Sequence, residues 1–336
     1  MRILRIKILV GVLFFTIILF VVFLILLNRK TYEVDYGISF SRSHAESLGL
    51  DWKEVYLEML KDLKPKYIRI SAPWNSVESE KGRFYFDDID WQMDEAYKNN
   101  TKVVLVVGQK TPRWPECHTP DWVSYDNEDD VSAKEELFDY IEKVVERYKD
   151  HKALEIWQVE NEPYISFKFG ECENYHKEWV GEEIEFVRIL DNKHKIMITD
   201  SGELSTWIKS IKAGDIFGTT IYRVIATESG RYFNYDWILP PVFYRVKALI
   251  FGRSLDDVFV SELQVEPWIH NGDILSTPIE EQEKSMNIKR LKKNLDFVTH
   301  IGTPRAYLWG VEWWYWMKSE KDNSVYWNIV KDYTNK

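Results

Sequence analysis

Leu154-Glu155-Ile156-Trp157-Gln158-Val159-Glu160-Asn161-Glu162-Pro163-Tyr164 is the stretch on which the reading of this chain turns. Its first six residues are rich in aliphatic and aromatic side chains, as in a buried strand. The run then stops at an amide, a carboxylic acid and a proline. Asn161 can hydrogen-bond a bound hydroxyl, and Glu162 can give or take a proton. Pro163 has no N–H for a sheet ladder, so the strand is predicted to end there. Further along, Asp257-Val258-Phe259-Val260-Ser261-Glu262 repeats the design: a short β-branched and aromatic run that ends at a glutamate.

Working outward, strand-like runs at 36–41, 67–71, 102–107, 154–160, 195–199, 216–222, 258–261 and 306–310 alternate with helical patterns at 52–63, 89–99, 133–149, 179–190, 203–212, 237–251 and 278–299. Eight strands alternating with helices predict an α/β fold, a (β/α)8 TIM barrel. A doubly wound sheet would want a glycine-rich phosphate turn after an early strand, and the sequence has none. In a barrel, functional residues gather at the C-terminal ends of the strands. The candidate strands run into Arg42-Ser43-His44, Trp74-Asn75-Ser76-Val77-Glu78, Gly108-Gln109-Lys110 with Arg113-Trp114-Pro115, Asn161-Glu162, Tyr222-Arg223, Glu262, and Trp309-Gly310 followed by Glu312, Trp313 and Trp314. The end of the fifth strand, near Asp200 and Glu203, is less legible.

Residues 8–27 carry no charge, a run of 20 between Arg2, Arg5 and Lys7 on one side and Arg29 and Lys30 on the other. At about 1.5 Å per residue that run can cross a hydrocarbon core of about 30 Å. A cleavable signal has a shorter apolar region, of ~7–15 residues, and small residues at the cut; Leu26-Leu27-Asn28-Arg29 offers no such site. The expectation is an uncleaved signal anchor at 1–30 with one transmembrane helix, then a barrel at 31–336. The slight excess of basic residues before the span favours a cytoplasmic N-terminus and an extracytoplasmic barrel. The net charge of −10 argues against nucleic acid as a partner and against a basic membrane-binding surface. Fifteen tryptophans and nineteen tyrosines supply flat rings of the kind that stack on a sugar's C–H face. Seven histidines and two cysteines show no zinc-binding spacing, and no metal or organic cofactor is predicted. Cys117 and Cys172 fall on the loops after the third and fourth strands. They could pair in an oxidising compartment, and otherwise stand as free thiols.

Over residues 36–316 the chain resembles the clan A glycoside hydrolases, the barrel superfamily that includes the cellulase family. The segment from Trp74 to Glu78, continued by Gly82-Arg83-Phe84-Tyr85-Phe86-Asp87-Asp88-Ile89-Asp90, is similar to the region after strand two in the β-galactosidase-like and xylosidase-like branches. Trp157 to Pro163 resembles the strand-four signature, and Phe259 to Glu262 that of strand seven. The resemblance implies a retaining double displacement on a carbohydrate substrate. Glu162 would be the acid/base, Glu262 the nucleophile, Tyr222 a hydrogen-bond donor to that nucleophile, and Asn161 the partner of the sugar 2-hydroxyl. Trp309 or Trp313 would floor the sugar site. Arg69, Trp74 and Trp114 are further expected contacts, with Arg69 equally readable as a salt-bridge partner inside the barrel; Trp122 and Trp268 are candidate sugar platforms. The two carboxyls of a retaining enzyme stand about 5–5.5 Å apart. Glu266 is the alternative nucleophile, an assignment that would require the seventh strand to extend or bulge, and Glu160 reads as filling the barrel. A transglycosylase and a glycan- or partner-binding barrel without catalysis remain the competing readings. Residues 222–253 and 261–268 match no branch of known substrate.

Overall fold

The computed structural model describes residues 14–16, 28–125, 130–167, 169–227, 229–270 and 274–335. Eight parallel strands close into a barrel: β1 (Asp35–Ser39), β2 (Tyr67–Ser71), β3 (Lys102–Val107), β4 (Leu154–Val159), β5 (Lys195–Asp200), β6 (Ile216–Ile221), β7 (Val258–Gln264) and β8 (Arg305–Trp309). The order around the barrel is β1-β8-β7-β6-β5-β4-β3-β2, so each strand pairs with its neighbours in sequence and β8 closes on β1. Outside this ring, an antiparallel hairpin of Val224–Ala226 and Tyr232–Asn234 follows β6.

Alternate side chains of each strand face the barrel axis. The lower interior is apolar, a cluster of Val104, Ile156, Met197, Ile216, Phe259 and Tyr307. Arg305 pairs with Glu155 at 2.8 Å and stacks over the Tyr67 ring at 3.4 Å. Two residues further along several of the same strands the interior turns polar, with Arg69, Gln158, Thr199 and Ser261, all buried. Gly218 makes room there, since a Cβ on it would lie 2.8 Å from Thr199 and 2.9 Å from Ser261. The outer layer of helices packs the opposite faces of the strands in one large core that includes Trp52, Tyr56, Trp157, Trp207 and Trp327.

Three local expectations are corrected, and the cysteine pairing that the sequence left open is answered. Residues 203–212 form turns rather than a helix. Trp207 adopts a left-handed φ of 69°, with its ring buried and its indole N–H donating to the Ser201 carbonyl at 2.8 Å, and a helix could not place the ring there. The pattern at 278–299 is two helices, Ile279–Gln282 and Ile288–Thr299. The fourth strand ends at Val159, ahead of Pro163, because Glu160 turns left-handed at φ 58°. The cysteines are paired: Cys117–Cys172 joins the loops after β3 and β4. The transmembrane expectation falls on residues 8–27, nearly all of which lie outside the described residues; among the described residues no helix is long and apolar enough to cross a membrane.

Candidate active site

A cavity of about 650 Å³ opens at the C-terminal ends of the strands. Its wall includes Asn161, Glu162, Tyr222, Glu262, Trp309 and Trp114, six of the residues singled out in the sequence. The backbone after β4 is what delivers the first two. Glu160 and Glu162 both have positive φ, 58° and 45°, which costs roughly 1–3 kcal/mol each for a residue with a Cβ and persists only where the surroundings hold it. Those surroundings are specific. The Glu160 N–H donates to the Val107 carbonyl at 2.8 Å, and the Glu162 N–H donates to the Thr199 hydroxyl at 2.9 Å. The Glu160 carboxylate accepts from the N–H groups of Gln109 (2.6 Å) and Lys110 (2.7 Å). Glu160 is therefore a brace between two loops and not a barrel filler. Gly108, at φ 123°, keeps the approach open, since a Cβ there would meet the Glu160 carboxylate at 2.3 Å.

β7 both extends and bulges. Thr219 pairs with Val260 while Thr220 pairs with Glu262, and the register against β8 slips over the same residues. One extra residue in β7 re-aims the side chains beyond it. Glu262 comes to lie inside the barrel mouth, where Oε1 accepts from Arg69 Nη1 at 2.8 Å and Oε2 from the Tyr222 hydroxyl at 2.7 Å. Arg69 is thus a buried strut. Its remaining donors go to Gln158 (2.7 Å) and to Asn161 Oδ1 (2.9 Å), so it ties Glu262 to the strand-four residues from below the cavity.

Glu162 has a different environment. Its Oε1 accepts from the Thr220 hydroxyl at 2.9 Å, and Lys110 donates only to its backbone carbonyl, at 3.4 Å. Burial, with the neighbouring Glu262 carboxylate as the second cause, pushes its carboxyl up to about 8. Burial also raises Glu116, which accepts from Asn161 Nδ2 at 3.2 Å, and Glu203, each to about 7.

Glu266 stands on the same wall in a third arrangement. Arg113 pairs with both of its oxygens and with Glu312 at 3.1 Å, and His44 lies 3.6 Å away. Against the pull of burial, the guanidinium holds Glu266 down at about 2, while burial wins at Glu312 and raises it. His44, Glu266 and Glu312 are close enough to chelate an ion, yet Arg113 already supplies the positive charge between the two carboxylates. Arg113 also stacks over the Trp309 ring at 4.0 Å.

Two expected contacts fall elsewhere. Trp313 is buried in the helix Val311–Glu320, its indole N–H donating to Gln282 at 2.7 Å and its ring against Tyr326, because the helix after β8 turns that position into the helical layer. Trp74 is buried against Tyr140, its N–H on Glu78 at 3.0 Å. Trp122 packs on Trp74, whereas Trp268 does line the cavity, its ring 5.1 Å from that of Tyr222. Sequence reading missed Glu116 and the pairing of Arg113. Both sit on an irregular loop with no strand to number them, and only the segment Arg113-Trp114-Pro115 drew attention to the place.

A parallel barrel with two buried glutamates at the ends of its fourth and seventh strands, one bonded to a tyrosine from the sixth, defines a class, and this chain resembles the clan A glycoside hydrolases in it. Within that class, the family described as beta-galactosidase, glycoside hydrolase family 42, matches residues 50–207. The beta-galactosidase LacA of Lactobacillus acidophilus is 24% identical over 184 residues, which cover 49% of this chain and 27% of that protein. The chain thus spans about a quarter of the length of the curated relatives it matches. Among solved structures, GH5_18 from Streptomyces cattleya, in complex with GlcNAc, superposes with a TM-score of 0.57 at 12% identity, covering 83% of this chain and 71% of that one. A GH10 endoxylanase retrieved from a sugarcane soil metagenome gives 0.56 at 15% identity, covering 83% and 86%. These structural likenesses are likenesses of fold.

Proposed function

We propose that the protein is a retaining β-glycoside hydrolase, with Glu262 as nucleophile and Glu162 as acid/base, acting on a glycan outside the membrane to which residues 8–27 anchor it. The observation that carries this reading is the contrast between the two glutamates. Both oxygens of Glu262 receive donors that orient it, while Glu162 is buried, with Lys110 reaching only its backbone carbonyl, and burial holds its carboxyl up at about 8. In the first step a Glu262 oxygen bonds to the anomeric carbon as the Glu162 proton passes to the leaving oxygen; in the second, Glu162 takes a proton from the water that displaces Glu262. The hydrogen bond from Tyr222 must loosen as Glu262 becomes an ester, which places Tyr222 to assist the return step. Trp309, Trp114 and Trp268 offer rings along the cleft for sugar units. The β-galactosidase and xylanase relatives support a β-linked sugar as substrate, and the Cys117–Cys172 disulfide supports an oxidising compartment.

The test is the stereochemistry of the first product. Hydrolysis of a panel of aryl β-glycosides, followed by proton NMR, should give the β-anomer before mutarotation. An α-anomer as first product would rule out a double displacement.

A further inference from the structure

The helix Pro241–Ile250 departs from a water-facing barrel helix in being largely apolar on its outer face as well as its inner one. Its buried positions include Arg245, only 5% exposed, which donates to the Ile301 and His300 carbonyls. Its outer positions are Phe243, Val246, Lys247, Leu249 and Ile250, and Lys247 folds back onto the carbonyls of Gly202 and Ser205. The apolar outer face is continued by the preceding turn, where Trp237 is 93% exposed and Ile238 also stands out, and it ends with Ile250 at 74%. The nearby helix Ile288–Thr299 shows the ordinary design, with Lys289, Lys292, Lys293 and Asp296 at its exposed positions. Residues 237–255 contain no acid in a chain that holds 54. Scattered exposed apolar residues need no explanation, but a continuous apolar surface does.

Where the chain leaves the described barrel identifies what covers this face. Asn28, the first residue after the uncharged run 8–27, accepts a hydrogen bond from the Val242 N–H at 3.2 Å, in the first turn of this same helix. Arg245 stacks over the Tyr32 ring at 4.7 Å, so the segment leading to β1 lies along it. A span inserted in a bilayer would therefore emerge beside the first turn of this helix. We propose that the helix Pro241–Ile250 and the Trp237–Ile238 turn rest on the lipid surface, so that the flank of the barrel is held to the membrane. The inference rests on the anchor reading of residues 8–27. It also bears on the substrate: Tyr235 lines the cavity and Trp237 lies two residues beyond, so one rim of the cleft adjoins the lipid and favours glycans presented close to the headgroups.

The full chain has no free thiol when Cys117 and Cys172 are paired, so single cysteines can be spin-labelled. Trp237→Cys, Ile250→Cys and, as the water-facing control, Lys292→Cys are reconstituted in phosphatidylcholine vesicles and read by power saturation with oxygen and a nickel chelate. The expected result is a loss of chelate access and a gain of oxygen access at 237 and 250 relative to 292. Equal chelate access at all three positions, in chain that floats with the vesicles, overturns the lipid contact and leaves the anchor standing. Chain that does not float overturns both. Shielding of 237 and 250 that persists in detergent, with spin–spin broadening between labels, overturns the proposal in favour of a second copy on this face.

Discussion

Glu162 and Glu266 line the same cavity and are both buried, yet they are pushed in opposite directions, to about 8 and to about 2. Burial acts on both alike, because removal from water disfavours the charged form of any carboxyl. What separates them is first Arg113, which lies against both oxygens of Glu266, and second His44 beside it. The carboxyl of Glu162 accepts from a threonine hydroxyl and feels the Lys110 charge without pairing with it, and Glu116 and Glu203 follow it upward to about 7. One side of the cleft thus stores protons and the other holds an ion pair. Position four residues apart in β7 and its extension does not make Glu262 and Glu266 interchangeable, since Glu266 is already neutralised by a guanidinium.

The comparison breaks at its reactive side with the largest effect. Glu262→Gln should lower kcat by roughly 10⁴-fold or more, as the removal of a nucleophile does elsewhere. Glu162→Gln should lower it by about 10²–10⁴-fold, and less for dinitrophenyl glycosides, whose leaving group needs no proton; steady-state kinetics with leaving groups of graded pKa reads the difference. At the neutralised side, Arg113→Met leaves Glu266 and Glu312 buried without their cation and should cost about 3–5 kcal/mol in urea denaturation. Adding Glu266→Gln to that variant should restore part of the loss, which a double-mutant cycle measures.

A smaller effect is expected at the hinge of the comparison, Tyr222. Loss of its hydroxyl from Glu262 in Tyr222→Phe removes a hydrogen bond to a charged group, about 1.5–3 kcal/mol, or roughly 10–10²-fold in kcat/KM. The pH dependence separates the two sides by sign. Glu162 must be protonated to act as acid, so kcat/KM should fall as pH rises past about 8. Its folded pKa is raised, so the stability it contributes is full below the ordinary carboxylate range and is lost as pH rises toward 8. Glu266 is depressed, so its contribution is present above that range and is lost as pH falls toward 2. Melting curves across pH should therefore flatten between the ordinary carboxylate range and about pH 8 in Glu162→Gln, and between that range and about pH 2 in Glu266→Gln.

The barrel was legible because its strands are short runs whose residues are nearly all buried on one face or the other, as at Lys102–Val107 and Ile216–Ile221, where expected and observed bounds agree within a residue. The carboxylates were legible because strand ends point them at one mouth. What lay beyond sequence reading was side-chain direction after the strands stop. Glu160 follows β4 directly but is turned onto the β3 loop by a left-handed backbone. Trp313 follows the eighth strand by four residues but is carried into the helical layer. Glu116 and Arg113 reach the cavity from a loop fixed by contacts distant in sequence, such as the 153-residue separation of Arg113 and Glu266. No local pattern encodes such pairings.

The most direct test of the central claim is covalent trapping of the nucleophile in the full-length protein. Mechanism-based 2-deoxy-2-fluoro-glycosides of several sugars are applied in turn, and the labelled peptide is mapped by mass spectrometry. The expected result is a glycosyl ester on Glu262 that disappears in Glu262→Gln. An ester on Glu266, or glycan binding with no ester from any of the sugars, would contradict the division of the cleft into a reactive and a neutralised side.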